Sequence, residues 1–175
     1  MNEWQGPVFY ISHLAVINEK SKSTPVRIVF NSSQVHQGKS LNSCLAKGPD
    51  SYRNSSLGIL LRWREESVAL VGDIRKMFHS VYLKSAEQHC HRFLWRDLDE
   101  SKIPNVYIME RVNMGDRPAP AIATEALMLT AESFSDLYPK AARFVQESSS
   151  CTRLASRWYL STLFDEGNRL FLLSD

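Results

Sequence analysis

The apolar positions of the chain fall in short runs separated by polar, serine-rich stretches, and the sharpest run is Val68-Ala-Leu-Val71, closed by Gly72-Asp73. Its length and branching are those of a strand buried on both faces. Upstream, Gly6 to Val16 mixes aromatic and branched residues around His13, the pattern of an extended segment packed on a sheet. Asn18 to Thr24 turns polar and reads as a hairpin tip leading into the strand Val26-Arg-Ile-Val-Phe30. Asn31 to Pro49 is loop-like and ends in the turn signal Gly48-Pro49. Asn54 or Ser55 then caps a helix to about Glu66, with Leu57, Leu60, Leu61 and Arg64 sharing one face.

Beyond the central run, Ser85-Ala-Glu-Gln88 has the form of a capping box and predicts a helix to about Asp97, with Cys90, Phe93 and Leu94 in the core. Val106 to Met109 and Arg111 to Met114 read as a strand, or a bent pair, leading to Gly115-Asp-Arg-Pro-Ala-Pro120. The prolines pre-set a helix from Ala119 to Leu137 that is apolar nearly all round and so largely buried. Ala141 to Val145 reads as the start of another interior strand. From Gln146 to Asp175 the pattern lapses: Ser148, Ser149 and Ser150 lead into Cys-Thr-Arg, and no buried strand with a terminal acid pair appears.

A length of 175 residues fits one domain or a piece of a larger protein, and 43% hydrophobic with 23% charged residues is a globular rather than a disordered composition. The net charge of +2 permits contact with nucleic acid without arguing for it. Cys44, Cys90 and Cys151 are odd in number and lack CxxC spacing, which speaks against a disulfide framework or zinc knuckle and fits a reducing compartment. No apolar run approaches the roughly 20 residues that span a bilayer, and no basic-then-apolar leader opens the chain. These features predict a cytoplasmic protein, neither secreted nor membrane-bound.

Candidate chemistry gathers at few positions. Asp73, at the end of a buried strand, needs a cation or hydrogen-bond donors unless it is an ordinary solvated carboxylate. Phe78, five residues on, is either a rigid wall beside that acid or a core residue. Arg27 lies between apolar neighbours and points to water or to an anion. Gly115 lets a ligand approach the backbone closely. Arg27, Arg53, Arg62, Arg64, Arg75 and Lys76 could track phosphates or form a solvated face. His89-Cys-His91 suggests a metal cluster, but i and i+2 residues of a helix point to different faces.

In this order the runs VRIVFNSS, SLNSCLAKGPD, VALVGDIRKMFHSV, HRFLWRD and VNMGDRPAPAIATEAL closely resemble the reverse transcriptases of Pao/BEL-type LTR retrotransposons. The resemblance covers about Gly6 to Ser149. It implies an α+β fold of right-hand polymerase fingers and partial palm over residues 1–149, with a mostly antiparallel sheet backed by helices and a divergent tail over 150–175. It also implies a retrotransposon RNA-directed DNA polymerase acting on an RNA or DNA template with primer and deoxynucleoside triphosphates. Two Mg²⁺ (or Mn²⁺) ions, roughly 4 Å apart, would carry nucleotidyl transfer. Asp73 becomes the first metal-binding aspartate, Phe78 the aromatic that excludes a ribose 2′-hydroxyl, Lys22 and Arg27 the triphosphate contacts, and Gly115 the residue under the nucleotide.

The chain departs from that pattern after Ser149, where Ser-Cys-Thr-Arg stands in place of Tyr-x-Asp-Asp. Two of the three metal-binding acids are missing, and Asp165-Glu166 has flanks unlike the hairpin. The expectation is a polymerase domain by descent that is defective in catalysis. The alternatives are a non-catalytic nucleic-acid-binding module and an unstable, decayed fragment.

Overall fold

In chain order the elements are β1 (Ser12–Ile17), β2 (Val26–Asn31), α1 (Leu41–Cys44), α2 (Ser56–Arg62), β3 (Ala69–Asp73), α3 (Ser85–Gln88), β4 (Arg92–Trp95), β5 (Asn105–Ile108), α4 (Ala119–Ser133), α5 (Pro139–Ser148), β6 (Ser149–Ser150) and β7 (Arg153–Arg157). They come from a computed structural model that describes residues 4–20, 25–48, 56–62, 64, 69–97, 99–150 and 153–157. The class is α+β: helices with small antiparallel sheets. The chain divides into two units, residues 1–47 with 78–119, and residues 48–77 with 120–175.

In the first unit the polar stretch after Ile17 turns the chain back, and β1 pairs antiparallel with β2 from Ser12↔Asn31 to Ile17↔Val26. Opposed residues share a face, so His13 and Phe30 lie together. They meet Phe93 and Trp95 of β4, with His13 5.8 Å from Phe93, 5.7 Å from Trp95, and Phe30 5.0 Å from Phe93. Phe93 in turn stacks on Tyr107 of β5 at 5.6 Å, its partner in register. Edge-to-face and offset rings of this kind add to what burial alone supplies. His13 is therefore a half-buried member of an aromatic cluster.

The expected helix from 85 to 97 does not form. A single turn, α3, passes into a one-turn 3₁₀ helix at His89–His91 and then into β4, antiparallel to β5. Arg92-Phe-Leu-Trp95 alternates aromatic and other residues with period two, and pairing with β5 and the aromatic cluster outweighs any helical continuation. Lys84, not Ser85, occupies the N-cap and makes no side-chain cap bond, while Gln88 Nε2 donates to the Leu83 carbonyl at 2.9 Å. Leu94 is exposed and Cys90 half-buried, so the residue this segment buries is His91.

The capping box lies elsewhere, in the stretch read as loop: Ser43 N donates to Ser40 Oγ and Ser40 N to Ser43 Oγ, opening α1. Just before it, His36 and Lys39 exchange backbone hydrogen bonds across Gln37 and Gly38, whose φ values of 50° and 77° are those a tight two-residue hairpin requires.

In the second unit β3 pairs with β7, and β7 with β6, in the order β3-β7-β6. Among the described residues β3 has one pairing partner, β7. That partner comes from the tail whose pattern lapses, with Asp73 opposite Arg153 and Ala69 opposite Arg157. The stretch 141–145 is helix rather than strand. Pro139 starts α5 with its φ already helical, Ala141 and Ala142 favour the helix, and Arg143 Nε pairs with Glu147 one turn on at 2.9 Å. α2 and α5 lie against β7.

α4 ends at Ser133, short of Leu137. Thr130 and Ser133 hydroxyls bond back to the Ala126 and Leu129 carbonyls, a habit that weakens helix continuation. Only a stripe of Ala119, Ala123, Thr124, Met128 and Ala131 is buried, while Leu129 is half exposed, so α4 is one-sided rather than buried all round. Among the described residues no helix is long and apolar enough to cross a membrane.

Candidate functional site

The most constrained polar cluster of the first unit is built around the loop 113–118, where β5 has ended and α4 has yet to begin. Ser32, the residue after β2, donates its hydroxyl to Asp116 Oδ1 at 2.5 Å. Asn113 Nδ2 donates to Ser32 Oγ at 3.0 Å and to Asp116 Oδ1 at 3.1 Å. His91 closes the cluster, its Nε2 2.8 Å from Asp116 Oδ2 and its Nδ1 3.0 Å from the Glu87 carbonyl. Relative exposures of 1% for Ser32, 3% for His91, 4% for Asn113 and 5% for Asp116 place the whole set out of water.

These partners fix the charges. Both ring nitrogens of His91 face acceptors, a geometry that the doubly protonated imidazolium satisfies and neither neutral tautomer does. Burial alone would lower the His91 pKa, but the hydrogen bond to Asp116, that to the Glu87 carbonyl, and the charges of Asp116 and Glu87 outweigh it and raise the pKa above its usual value. Burial likewise works to raise the Asp116 pKa. The bonds from His91 and Ser32, the His91 charge and the bond from Asn113 reverse that and hold it below the usual value. A buried ion pair persists only when its remaining hydrogen-bonding capacity is met, as here.

Asn42 of α1 holds the same loop from a less buried side. Its Nδ2 donates to the Gly115 carbonyl at 3.0 Å and to Ser33 Oγ at 2.8 Å, and its Oδ1 accepts from Arg117 N at 2.8 Å. Gly115 is itself pressed to β2: a Cβ there would sit 3.1 Å from the Phe30 carbonyl oxygen. The loop backbone is thus fixed by Asn42, the charged cluster and β2, and Gly115 stays exposed.

Of the residues singled out by sequence, the structure brings Gly115 against β2, the strand that carries Arg27 opposite Val16. Arg27 is exposed. Phe78 is 7% exposed and starts a one-turn 3₁₀ helix at Phe78–Ser80, so its ring belongs to the core and offers little surface as a wall. That turn is tied to the strand before the loop. Val112 N donates to the Val81 carbonyl at 3.0 Å, and the Arg111 guanidinium lies 3.2 Å from the Tyr82 ring centroid. Asp73 ends β3 in the second unit. Lys22 and Arg53 lie outside the described residues, while Arg64, Arg75 and Lys76 are exposed.

His89 and His91 go to different partners, as i and i+2 residues should: His89 stacks on Trp4 at 4.2 Å and takes a contact from Arg92 at 2.8 Å. Among the described residues no three His, Cys, Asp or Glu side chains gather as a metal-ion group. The donor set around β3 also fits two divalent ions poorly. The backbone register sets one carboxylate residue, Asp73, opposite Arg153, which in turn pairs with Ser150, where hard cations need several oxygen anions. No catalytic step through metal is therefore derived for these residues.

Sequence reasoning missed Asp116, Asn113, Ser32, Asn42 and His91. The only local signal was an acid in the turn Gly115-Asp-Arg-Pro; its partners are 25 and 84 residues away in the chain. Comparison of the chain with protein-family models and with curated proteins finds no match.

Two outcomes follow from this geometry. Gly115→Ala should destabilise the protein by about 1–2 kcal/mol in urea unfolding, because the methyl group meets β2 backbone that cannot turn aside. The pH profile of thermal stability should have two limbs. The raised His91 pKa contributes stability that is complete below the usual value of 6.5 and is lost as pH rises through the folded value. The lowered Asp116 pKa contributes stability present above 3.8 and lost as pH falls through its folded value. Melting scans should show the alkaline limb in the native chain and not in His91→Gln.

Proposed function

We propose that the chain is a reverse transcriptase domain by descent, fingers and partial palm of the Pao/BEL retrotransposon type, and that it is defective as a polymerase. The observation that carries the reading is the ordered set of runs from VRIVFNSS to VNMGDRPAPAIATEAL, two of which meet in the first unit. The second of that pair supplies Gly115, pinned beside the strand of the first, which exposes Arg27. A backbone held in place and bare of side chain suits close approach of a triphosphate, and an exposed guanidinium three residues back along the same strand suits an anion.

The family's chemistry needs two metal ions held by several carboxylates, and where the second acidic motif should stand this chain offers Ser150, Cys151, Thr152 and Arg153. Electrostatic stabilisation by such ions is usually a large share of the barrier reduction, so its loss removes catalysis while leaving a binding surface. A second reading, a nucleic-acid-binding module without chemistry, is favoured by the exposed Arg27, Arg75 and Lys76. Such contacts position a phosphate backbone without reading sequence.

Primer extension on a primed RNA template with Mg²⁺ or Mn²⁺, run beside Asp73→Asn, should give no product from either protein. Product that Asp73→Asn abolishes would overturn the defect. Binding of the primed template should weaken steeply with salt, and Arg27→Ala should flatten the log–log slope by about one contact. Salt-insensitive binding would contradict the module reading, and a broad, non-cooperative melt would instead favour an unstable fragment.

A further inference from the structure

The buried cluster behind Gly115 contains a charged pair that neither binding nor chemistry at the proposed site uses. His91 sits on a fixed scaffold. Its carbonyl accepts from Met109 N at 3.0 Å, its 3₁₀ turn runs directly into β4, and the neighbouring Arg92 exchanges backbone bonds with Phe9 and Ile11. Asp116, by contrast, is part of the loop: its N–H donates to the Asn113 carbonyl at 3.1 Å and its carbonyl accepts from Ala119 N at 3.0 Å. The bond between the two side chains therefore joins the loop to the β4 side of the unit.

A neutral imidazole cannot keep both of its present bonds. It has one N–H, and the Glu87 carbonyl and Asp116 Oδ2 are both acceptors. Whichever it drops, two lone pairs face each other at 2.8 or 3.0 Å among buried residues, a costly arrangement. The Glu87 carbonyl belongs to α3, whereas Asp116 stands outside helix and sheet in a loop held in part by the very bond that is lost, so Asp116 is the partner that gives way. The charged groups acting on His91 are Asp116 and Glu87; Ser32 and Asn113, which complete the cluster from β2's end and the loop, do not titrate.

We propose that His91, acting through Asp116, is a positioning residue for the backbone at 114–117, and that the loop keeps its close-approach form only while the imidazolium is charged. The consequence for a bound nucleotide rests on the function proposed above; the coupling between His91 and the loop does not.

Amide hydrogen exchange on the full chain tests this, with rates corrected to protection factors at about pH 6 and about pH 9. Residues 114–117 should lose at least tenfold in protection at the higher pH, while Leu94 and Val106 in the β4–β5 ladder change little. His91→Gln should show the low value at both. Protection at 114–117 that does not change with pH in the native chain would overturn the proposal. So would a loss shared equally by the β4–β5 amides, since the pair would then be a general stabiliser.

Should His91→Gln fail to fold, the ring titration of His91 in the native chain decides by NMR. A ring protonated at both nitrogens at neutral pH supports the proposal, and one already neutral at about pH 6 overturns it. Binding of dTTP to the same samples separates the two ideas. A pH-gated loop that binds no dTTP at any pH sinks the nucleotide reading and leaves the positioning role. Binding of dTTP with an unprotected loop sinks the positioning role and leaves the nucleotide reading.

Discussion

The ion pair of His91 with Asp116 is the constraint on which the first unit's loop geometry depends. Isolated charges in a protein interior cost several kcal/mol each, and only mutual attraction with complete hydrogen bonding offsets that. Here the carboxylate takes bonds from Ser32, Asn113 and His91, and the imidazolium spends both its protons. Three separate stretches of chain must arrive together for this balance to hold: the end of β2, the turn before β4, and the loop before α4. The aromatic cluster of His13, Phe30, Phe93, Trp95 and Tyr107 brings β2 and β4 close through non-directional burial. The polar cluster then selects one arrangement of the loop by direction and charge.

That division of labour explains what could be read from the chain. The β1–β2 hairpin, the strand ending at Asp73 and the helix after Pro118 follow from local pattern, and each is present. Two elements differ from the reading of the pattern, one decided by its partners and one by local signals. Arg92 to Trp95 becomes strand because β5 and the aromatic cluster lie beside it, and 141–145 becomes helix because Pro139 and the Arg143–Glu147 pair set it locally. Gly115 was legible as a close-approach residue, since a glycine between strand and proline-led helix announces itself. Its supports were not. Nothing in the sequence links Ser32, Asn42 or His91 to Asp116, because pairings across tens of residues leave no periodicity.

The tail carries the other lesson. Its hydrophobic pattern lapses, yet β7 pairs with β3 and β6 with β7 through backbone hydrogen bonds, which are indifferent to side-chain identity. Arg153 stands opposite Asp73 in register. Sheet pairing requires only strand-competent backbone, whereas a two-metal site requires particular carboxylates.

The most direct measurement is a double-mutant cycle in urea unfolding, with His91→Gln, Asp116→Asn and the pair of changes combined at about pH 6. If the loop depends on this buried ion pair, each single change strands a charge and costs about 3–5 kcal/mol, and the double change costs far less than the sum. Additive single costs, or a coupling near zero, would contradict it.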